Sequence, residues 1–140
     1  MSVPRIRYIK PGFFTNDELA EIRPVGRLLF IGLWCLADKA GRLEDRPRRI
    51  KASILPFDGV SADRLLNELA EHGFITRYEV EGQPYIQVIN FLKHQRPHHK
   101  EEPSTLPSMG QGRVKVGPST NHGSRTGQGW PKHEPCLPCS

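Results

Sequence analysis

The chain has 140 residues, and its 20 Lys and Arg exceed its 15 Asp and Glu by five. That length suits one small domain with a tail. With 13 glycines, 13 prolines and only 36% hydrophobic residues, one compact body over the whole chain is excluded. The longest apolar run, 28–37, is shorter than a membrane span, which needs about 20 residues. The first residues do not have the pattern of a signal peptide. We therefore expect no membrane segment and a cytoplasmic location.

The first two predicted elements are helices. Thr15 can cap a short helix at 16–22, with Glu18 reaching back to the cap amide. Pro24 suits the first position of a second helix that runs to about Lys39, with Gly41 as its left-handed stop. Because residues 25–37 leave almost no polar face, we expect this second helix to be central and covered on most sides.

Two more helices and a hairpin are predicted after a short strand-like link at Leu43. The helix over 47–55 ends at Pro56, and the helix over 62–72 is capped by Ser61 and stopped by Gly73. β-Branched and aromatic residues then predict a β-hairpin over 74–90 that turns at 81–83. The order predicts an α+β fold, a small winged helix-turn-helix domain with a helical core and a C-terminal β-hairpin wing.

A change in composition divides the chain into two regions. After Phe91 and Leu92, apolar residues become scattered, and Pro, Gly, Ser, His and charged residues dominate. Such a segment cannot bury enough surface to offset its chain entropy. We therefore predict a winged helix-turn-helix DNA-binding domain with a basic N-terminal arm at 1–100, and a disordered Pro/Gly-rich tail at 101–140.

Basic residues around the helix pair give the strongest local signal for function. Five Lys or Arg lie within residues 42–51, where guanidinium groups match phosphates in charge and geometry. A solvated basic face is the other interpretation. Two basic flanks, one before the first helix and one after the hairpin, would follow the DNA backbone. The predicted phosphate-binding residues are Arg5, Arg7, Lys10, Arg42, Arg46, Arg48, Arg49, Lys51, Lys93 and Arg96.

The helix over 62–72 is the element that would enter the major groove. On it, Arg64 and Asn67 would read guanine and adenine edges, and in the hairpin Arg77 and Gln83 would contact DNA as the wing. The same helix carries three acidic side chains that phosphates would repel. They are Asp63, Glu68 and Glu71. The alternative is that this helix serves a protein partner.

Four stretches of the sequence carry a family resemblance. They are 5–14 (RIRYIKPGFF), 27–34 (RLLFIGLW), 41–47 (GRLEDRP) and 90–97 (NFLKHQRP). Together they resemble the N-terminal winged-helix domains of tailed-phage and prophage replisome-organiser and replication-initiation proteins, over about residues 4–100. The resemblance implies DNA binding at or near a replication origin in a bacterial host cell, or contact with a helicase or helicase loader.

No pattern typical of catalysis is found in the sequence. It contains no nucleophile placed with a base, no paired carboxylates for a cleft and no phosphate-cradling glycine loop, so we expect no enzyme. His133, Cys136 and Cys139 are zinc-type ligands, but a structural zinc site needs a fourth ligand and a closed shell. We expect no metal and no cofactor.

Duplex DNA is therefore the favoured partner, with single-stranded DNA left open. The alternative function is a protein-interaction adaptor that docks a helicase or its loader. No heptad or apolar stripe predicts a dimer, and the oligomeric state stays open.

Overall fold

The computed structural model describes residues 4–116. Within that range the fold is α+β, as predicted, with four α-helices and one four-stranded antiparallel sheet. The helices are α1 (Pro24–Leu36), α2 (Pro47–Ile54), α3 (Ala62–Glu71) and α4 (Phe91–His94). The strands are β1 (Arg42–Glu44), β2 (Ile75–Val80), β3 (Gln83–Val88) and β4 (Arg113–Val116), in the order β1-β3-β2-β4. Among residues 4–116, every helix is too short or too polar to serve as a membrane span.

Helix α1 is central, as its apolar sequence predicts. It buries Leu29, Phe30, Leu33 and Trp34 completely or almost completely. It ends at Leu36, three residues before the predicted end, because the Asp38 carboxylate forms a turn there by accepting the backbone N–H groups of residues 40 and 42. Gly41, with φ of +82°, lies in this turn and does not cap the helix.

The predicted short helix at 16–22 is wrong in both type and cap. Thr15 ends a 3₁₀-helix at Pro11–Thr15, and a second 3₁₀-helix occupies Leu19–Glu21. Between them the Asn16 side chain accepts the backbone N–H groups of residues 18 and 19, at 2.9 and 3.0 Å. An asparagine side chain is short enough to close such a turn on its own backbone, and here it replaces the predicted threonine cap.

The helix pair and hairpin are confirmed at their predicted places. The Ser61 hydroxyl accepts the N–H of Arg64 at 3.3 Å, and Gly73 follows α3 with φ of +85°. Strands β2 and β3 pair antiparallel around a two-residue turn, Glu81 and Gly82, in which both φ angles are positive. Leu43 lies in β1 opposite Ile86 of β3, so the predicted third strand is also confirmed.

The two faces of the sheet have different neighbours. Because side chains alternate along a strand, Leu43, Ile75 and Ile86 face the helices and are buried there. The opposite face carries Arg42, Tyr78, Tyr85 and Gln87. Residues 101–112, which we call the strap, cross this second face and lead into β4.

Polar contacts attach the strap to the sheet. The Tyr78 hydroxyl donates to the Pro107 carbonyl at 2.6 Å, Arg42 donates to the Leu106 carbonyl at 3.1 Å, and the Ser104 hydroxyl donates to Asp38 at 2.6 Å. Burial raises the pKa of Tyr78 to about 12. Strand β4 then pairs antiparallel with β2.

The predicted boundary at residue 100 is therefore wrong, because residues 101–116 belong to the folded domain. Single polar contacts and strand pairing hold this segment, and such contacts leave no hydrophobic period in the sequence. Residues 117–140, the rest of the predicted disordered tail, lie outside the described residues.

Glu101 begins the strap and joins it to the N-terminal segment. Its carboxylate pairs with Arg7 at 2.7 Å and with Arg5 at 3.1 Å, and the hydrogen bond from Arg7 holds the pKa of Glu101 below its usual range. Arg7 also donates to the carbonyls of Trp34 and Ala37 at the end of α1, and its side chain is only 3% exposed. The pair therefore joins three segments that are distant in sequence.

Replacing Glu101 by Gln should lower the free energy of unfolding by about 3 kcal/mol, since it leaves a buried guanidinium without its counter-charge. Chemical denaturation followed by tryptophan fluorescence measures this loss. The neighbouring exposed Glu102→Gln serves as the charge-matched control and should leave stability almost unchanged. Equal effects of the two substitutions would contradict the structural role of Glu101.

Candidate nucleic-acid interface

Exposed cationic side chains lie together at the N-terminus of α2. Arg46 is the N-cap, Pro47 is the first helical residue, and Arg48 and Arg49 follow in the first turn. Ile50 faces the core, and Gly32 allows Ile54 to approach α1 closely, which leaves the two arginines on the outer side of the helix. Neither arginine side chain has a hydrogen bond or an ion pair with any of residues 4–116.

The local electrostatics of this helix end favour an anion. No side chain caps the helix at Arg46, and its first turn contains no acidic residue. The positive end of the helix dipole and two guanidinium groups therefore lie together, which is unfavourable for an isolated protein and favourable for a bound phosphate. Arg46 forms a solvent-accessible ion pair with Glu44 at 3.1 Å, which partly neutralises its charge. The Lys51 ammonium donates to the Leu55 carbonyl at 3.3 Å.

On α3, the two predicted base-reading residues differ. Arg64 is exposed, and its side chain contacts no partner within the described part of the chain, so its role stays a prediction. The Asn67 side-chain oxygen accepts a hydrogen bond from Arg77 at 2.8 Å. Bidentate reading of adenine needs that oxygen as well as the amide N–H₂. Arg77 thus occupies half of the recognition edge of Asn67, and the base-reading role of Asn67 stays a prediction.

Arg77 is the centre of a buried ionic network. Its guanidinium donates two hydrogen bonds to Asp45, at 2.7 and 2.8 Å, and one to Asp63 at 2.9 Å, in addition to the bond to Asn67. The side chain is 10% exposed. Burial opposes the charge, but the hydrogen bonds and negative charges of Asp45 and Asp63 raise the pKa of Arg77 above its ordinary value. The prediction that Arg77 contacts DNA from the wing is wrong.

This network was missed, although the sequence contains a signal for it. Ile75 and Arg77 are two residues apart in one strand, so they must lie on the same face of the sheet. Ile75 belongs to the core, and Arg77 therefore points toward α3. Gln83, the other predicted wing contact, is exposed at the start of β3 and stays a prediction.

The three acidic side chains of α3 differ in their surroundings. Asp63 pairs with Arg77 but is 59% exposed, Glu68 is half-buried, and Glu71 is exposed. Because Arg77 also pairs with Asp45, its one positive charge offsets only one of these two carboxylates. Negative charge that would repel phosphate, or attract a basic protein partner, therefore remains on this helix.

The N-terminal arm is fixed to the fold. Arg5 donates to the Ala37 carbonyl at 3.0 Å as well as pairing with Glu101, and Arg7 is almost fully buried. The backbone N–H and carbonyl of Tyr8 bond to the buried Gln95 side chain, at 2.9 and 2.8 Å. Arg5 and Arg7 therefore hold the end of α1 and the strap. Arg7, only 3% exposed, is too buried to bind phosphate, and the phosphate-binding role of Arg5 stays a prediction.

Arg42, a further predicted phosphate-binding residue, is also committed to the fold. Its guanidinium donates to Gln87 at 3.1 Å and to Ser104 at 3.3 Å, besides the Leu106 carbonyl. These groups lie on the sheet face that the strap covers. The phosphate-binding role of Arg42 stays a prediction.

A second group of exposed cations lies around α4. Lys10, Lys93 and Arg96 are exposed, and Lys10 donates to the Lys93 carbonyl at 3.4 Å. His94, in the last turn of α4, has its pKa lowered to about 4 by burial and by the charges of Lys10 and Lys93. It is therefore neutral at pH 7. The phosphate-binding role of the three cations stays a prediction, while His133, Cys136 and Cys139 lie outside the described residues.

Replacing Arg77 by Met should lower the free energy of unfolding by about 3–5 kcal/mol, because it leaves the buried Asp45 carboxylate unpaired. Arg64→Met makes the same substitution at an exposed site, and it should change the free energy of unfolding by less than about 0.5 kcal/mol. Denaturant unfolding of both variants measures the difference. A stable Arg77→Met protein would contradict the buried role of the network.

Comparison of the chain with protein-family models, with curated proteins and with solved structures finds no match. The resemblance to phage replication-initiation proteins therefore depends on the four sequence stretches that carry it, and it stays a prediction. The geometry of the site is the remaining basis for a functional assignment.

Proposed function

We propose that this chain is a non-enzymatic DNA-binding protein with a winged helix-turn-helix domain, and that α2 and α3 provide its DNA-binding surface. The observation that carries the proposal is the uncapped N-terminus of α2, where Arg48 and Arg49 are exposed without a protein partner among residues 4–116. Arg64 on α3 adds a third exposed guanidinium to the helix pair.

The arrangement of elements supports the winged-helix part of the proposal. Helices α2 and α3 connect β1 to β2, and β1 pairs with β3, so that β3 is central in the order β1-β3-β2. Winged-helix domains share this order, with the helix pair packed on one side of the sheet and the β2–β3 hairpin as the wing. In such domains the second helix of the pair enters the major groove.

The charge distribution supports phosphate as the ligand. Of the predicted basic residues, Arg5, Arg7, Arg42 and Arg77 are held by protein partners. Arg48, Arg49 and Arg64 remain accessible. Guanidinium groups at an open helix N-terminus can bind phosphate oxygens in pairs, and backbone phosphates supply most of the affinity of such proteins for DNA.

The biological setting of the proposal comes from the sequence resemblance. We place the protein in replication initiation of a phage or prophage, or in local regulation, within the cytoplasm of the bacterial host. The chemistry is non-covalent. Contact with a helicase or its loader is the alternative function, and no contact among the described residues favours it over DNA binding.

The decisive experiment is fluorescence anisotropy of the full chain with a short duplex of mixed sequence over a series of salt concentrations. If Arg48 and Arg49 each neutralise one phosphate, Arg48→Ala/Arg49→Ala should reduce the slope of log affinity against log salt by about 1.8. Single-stranded DNA of the same length, measured in parallel, shows which form of DNA is preferred.

Lys39→Ala/Lys100→Ala is the matched control, because it removes two positive charges that lie outside α2, α3 and β4. It should leave the slope almost unchanged. A slope near zero for the unaltered chain, or equal losses in the two double variants, would overturn the proposal that α2 binds phosphate.

A further inference from the structure

The β2–β3 hairpin lacks an accessible cation of its own. Arg77 is the one Lys or Arg in residues 75–88, and its guanidinium is buried against Asp45 and Asp63. Glu79 and Glu81 lie toward the tip of the hairpin and would repel phosphate. As a two-stranded wing, this hairpin is therefore poorly suited to contact DNA.

Strand β4 changes the charge of this region. It pairs antiparallel with the free edge of β2 and places Arg113 opposite Glu79 and Val116 opposite Arg77. The side chains of Arg113 and Lys115 approach the Glu79 carboxylate at 4.0 and 3.9 Å, with 80% and 51% of their surface exposed. Two accessible cations thus lie beside the Glu79 carboxylate, and β4 offsets the negative charge of Glu79 and Glu81 at this end of the hairpin.

A close backbone approach fixes the position of β4. A side chain on Gly112 would overlap the Glu79 carbonyl oxygen and come within 2.6 Å of Val80 Cγ2. At the other end of the strand, Val116 packs against the hydrophobic core, and β4 contacts α3. The two cations are therefore held by the fold, next to the helix that carries Arg64.

We propose that β4 is a third strand of the wing and that Arg113 and Lys115 are its phosphate-binding residues. This inference rests on the proposed DNA-binding function and assigns to β4 the contacts that the hairpin cannot make. The strap supplies the connection, because it carries the chain across the sheet from α4 to the far edge of β2.

Salt-dependent binding of the full chain to the same mixed-sequence duplex tests the assignment. Arg113→Ala/Lys115→Ala should reduce the slope of log affinity against log salt by about 1.8, as for two lost phosphate contacts. Both side chains are exposed, so thermal unfolding should be unchanged. An unaltered slope overturns the inference, and Lys39→Ala/Lys100→Ala again controls for total charge.

Gly112→Val tests whether β4 must be paired with β2 for Arg113 and Lys115 to bind phosphate. This variant keeps both cations but should detach β4 from β2, which faster hydrogen exchange of the Val114 and Val116 amides would report. We expect its slope to fall as much as in Arg113→Ala/Lys115→Ala. If β4 is released and the slope is retained, the two cations act from an undocked segment, and the three-stranded wing is wrong.

The two proposals fail in different ways. A steep slope that Arg48→Ala/Arg49→Ala reduces and Arg113→Ala/Lys115→Ala does not would overturn the role of β4 and leave α2 as the DNA-binding element. A slope near zero for the unaltered chain would overturn the proposed function itself.

Discussion

The buried guanidinium of Arg77 connects the sheet to α3. It joins β2 to Asp45, at the end of β1, and to Asp63 and Asn67 on α3. Removing the Arg77 guanidinium and the Asp45 carboxylate from water is costly, and the hydrogen bonds of Arg77 to Asp45, Asp63 and Asn67 compensate for that cost. The network thereby fixes which face of α3 points to the sheet and which side chains, Arg64 among them, point to solvent.

Two groups of arginines within residues 4–116 have different physical roles. In the first group the guanidinium donates to carboxylates, amide oxygens or helix-end carbonyls of the protein, as in Arg7, Arg42 and Arg77. These guanidinium groups have their hydrogen-bond partners within the fold. Arg48, Arg49 and Arg113 are exposed, and their charge acts on the surroundings. Net charge alone cannot distinguish these groups, and the positive net charge of the sequence therefore overstates the accessible positive surface.

The sequence predicts the elements whose signals are local and misses those held by distant contacts. Pro47, Ser61 and Gly73 mark the ends of α2 and α3, and the hairpin follows from its alternating β-branched residues. Strand β4 and the strap could not be predicted, because Pro and Gly interrupt residues 101–116 and their partners, such as Tyr78 for Pro107, are far away in sequence. Arg77 was misassigned although the alternation of β2 places it on the core side.

Backbone amide NMR of the full chain titrated with a short mixed-sequence duplex tests the proposed DNA-binding surface most directly. We expect chemical-shift changes at residues 46–49, at Arg64 and at residues 113–115, because these groups form the accessible positive surface around α2, α3 and β4. Changes confined to residues 5–10 and 92–96 would contradict it, since they would move the interface to the opposite group of cations around α4.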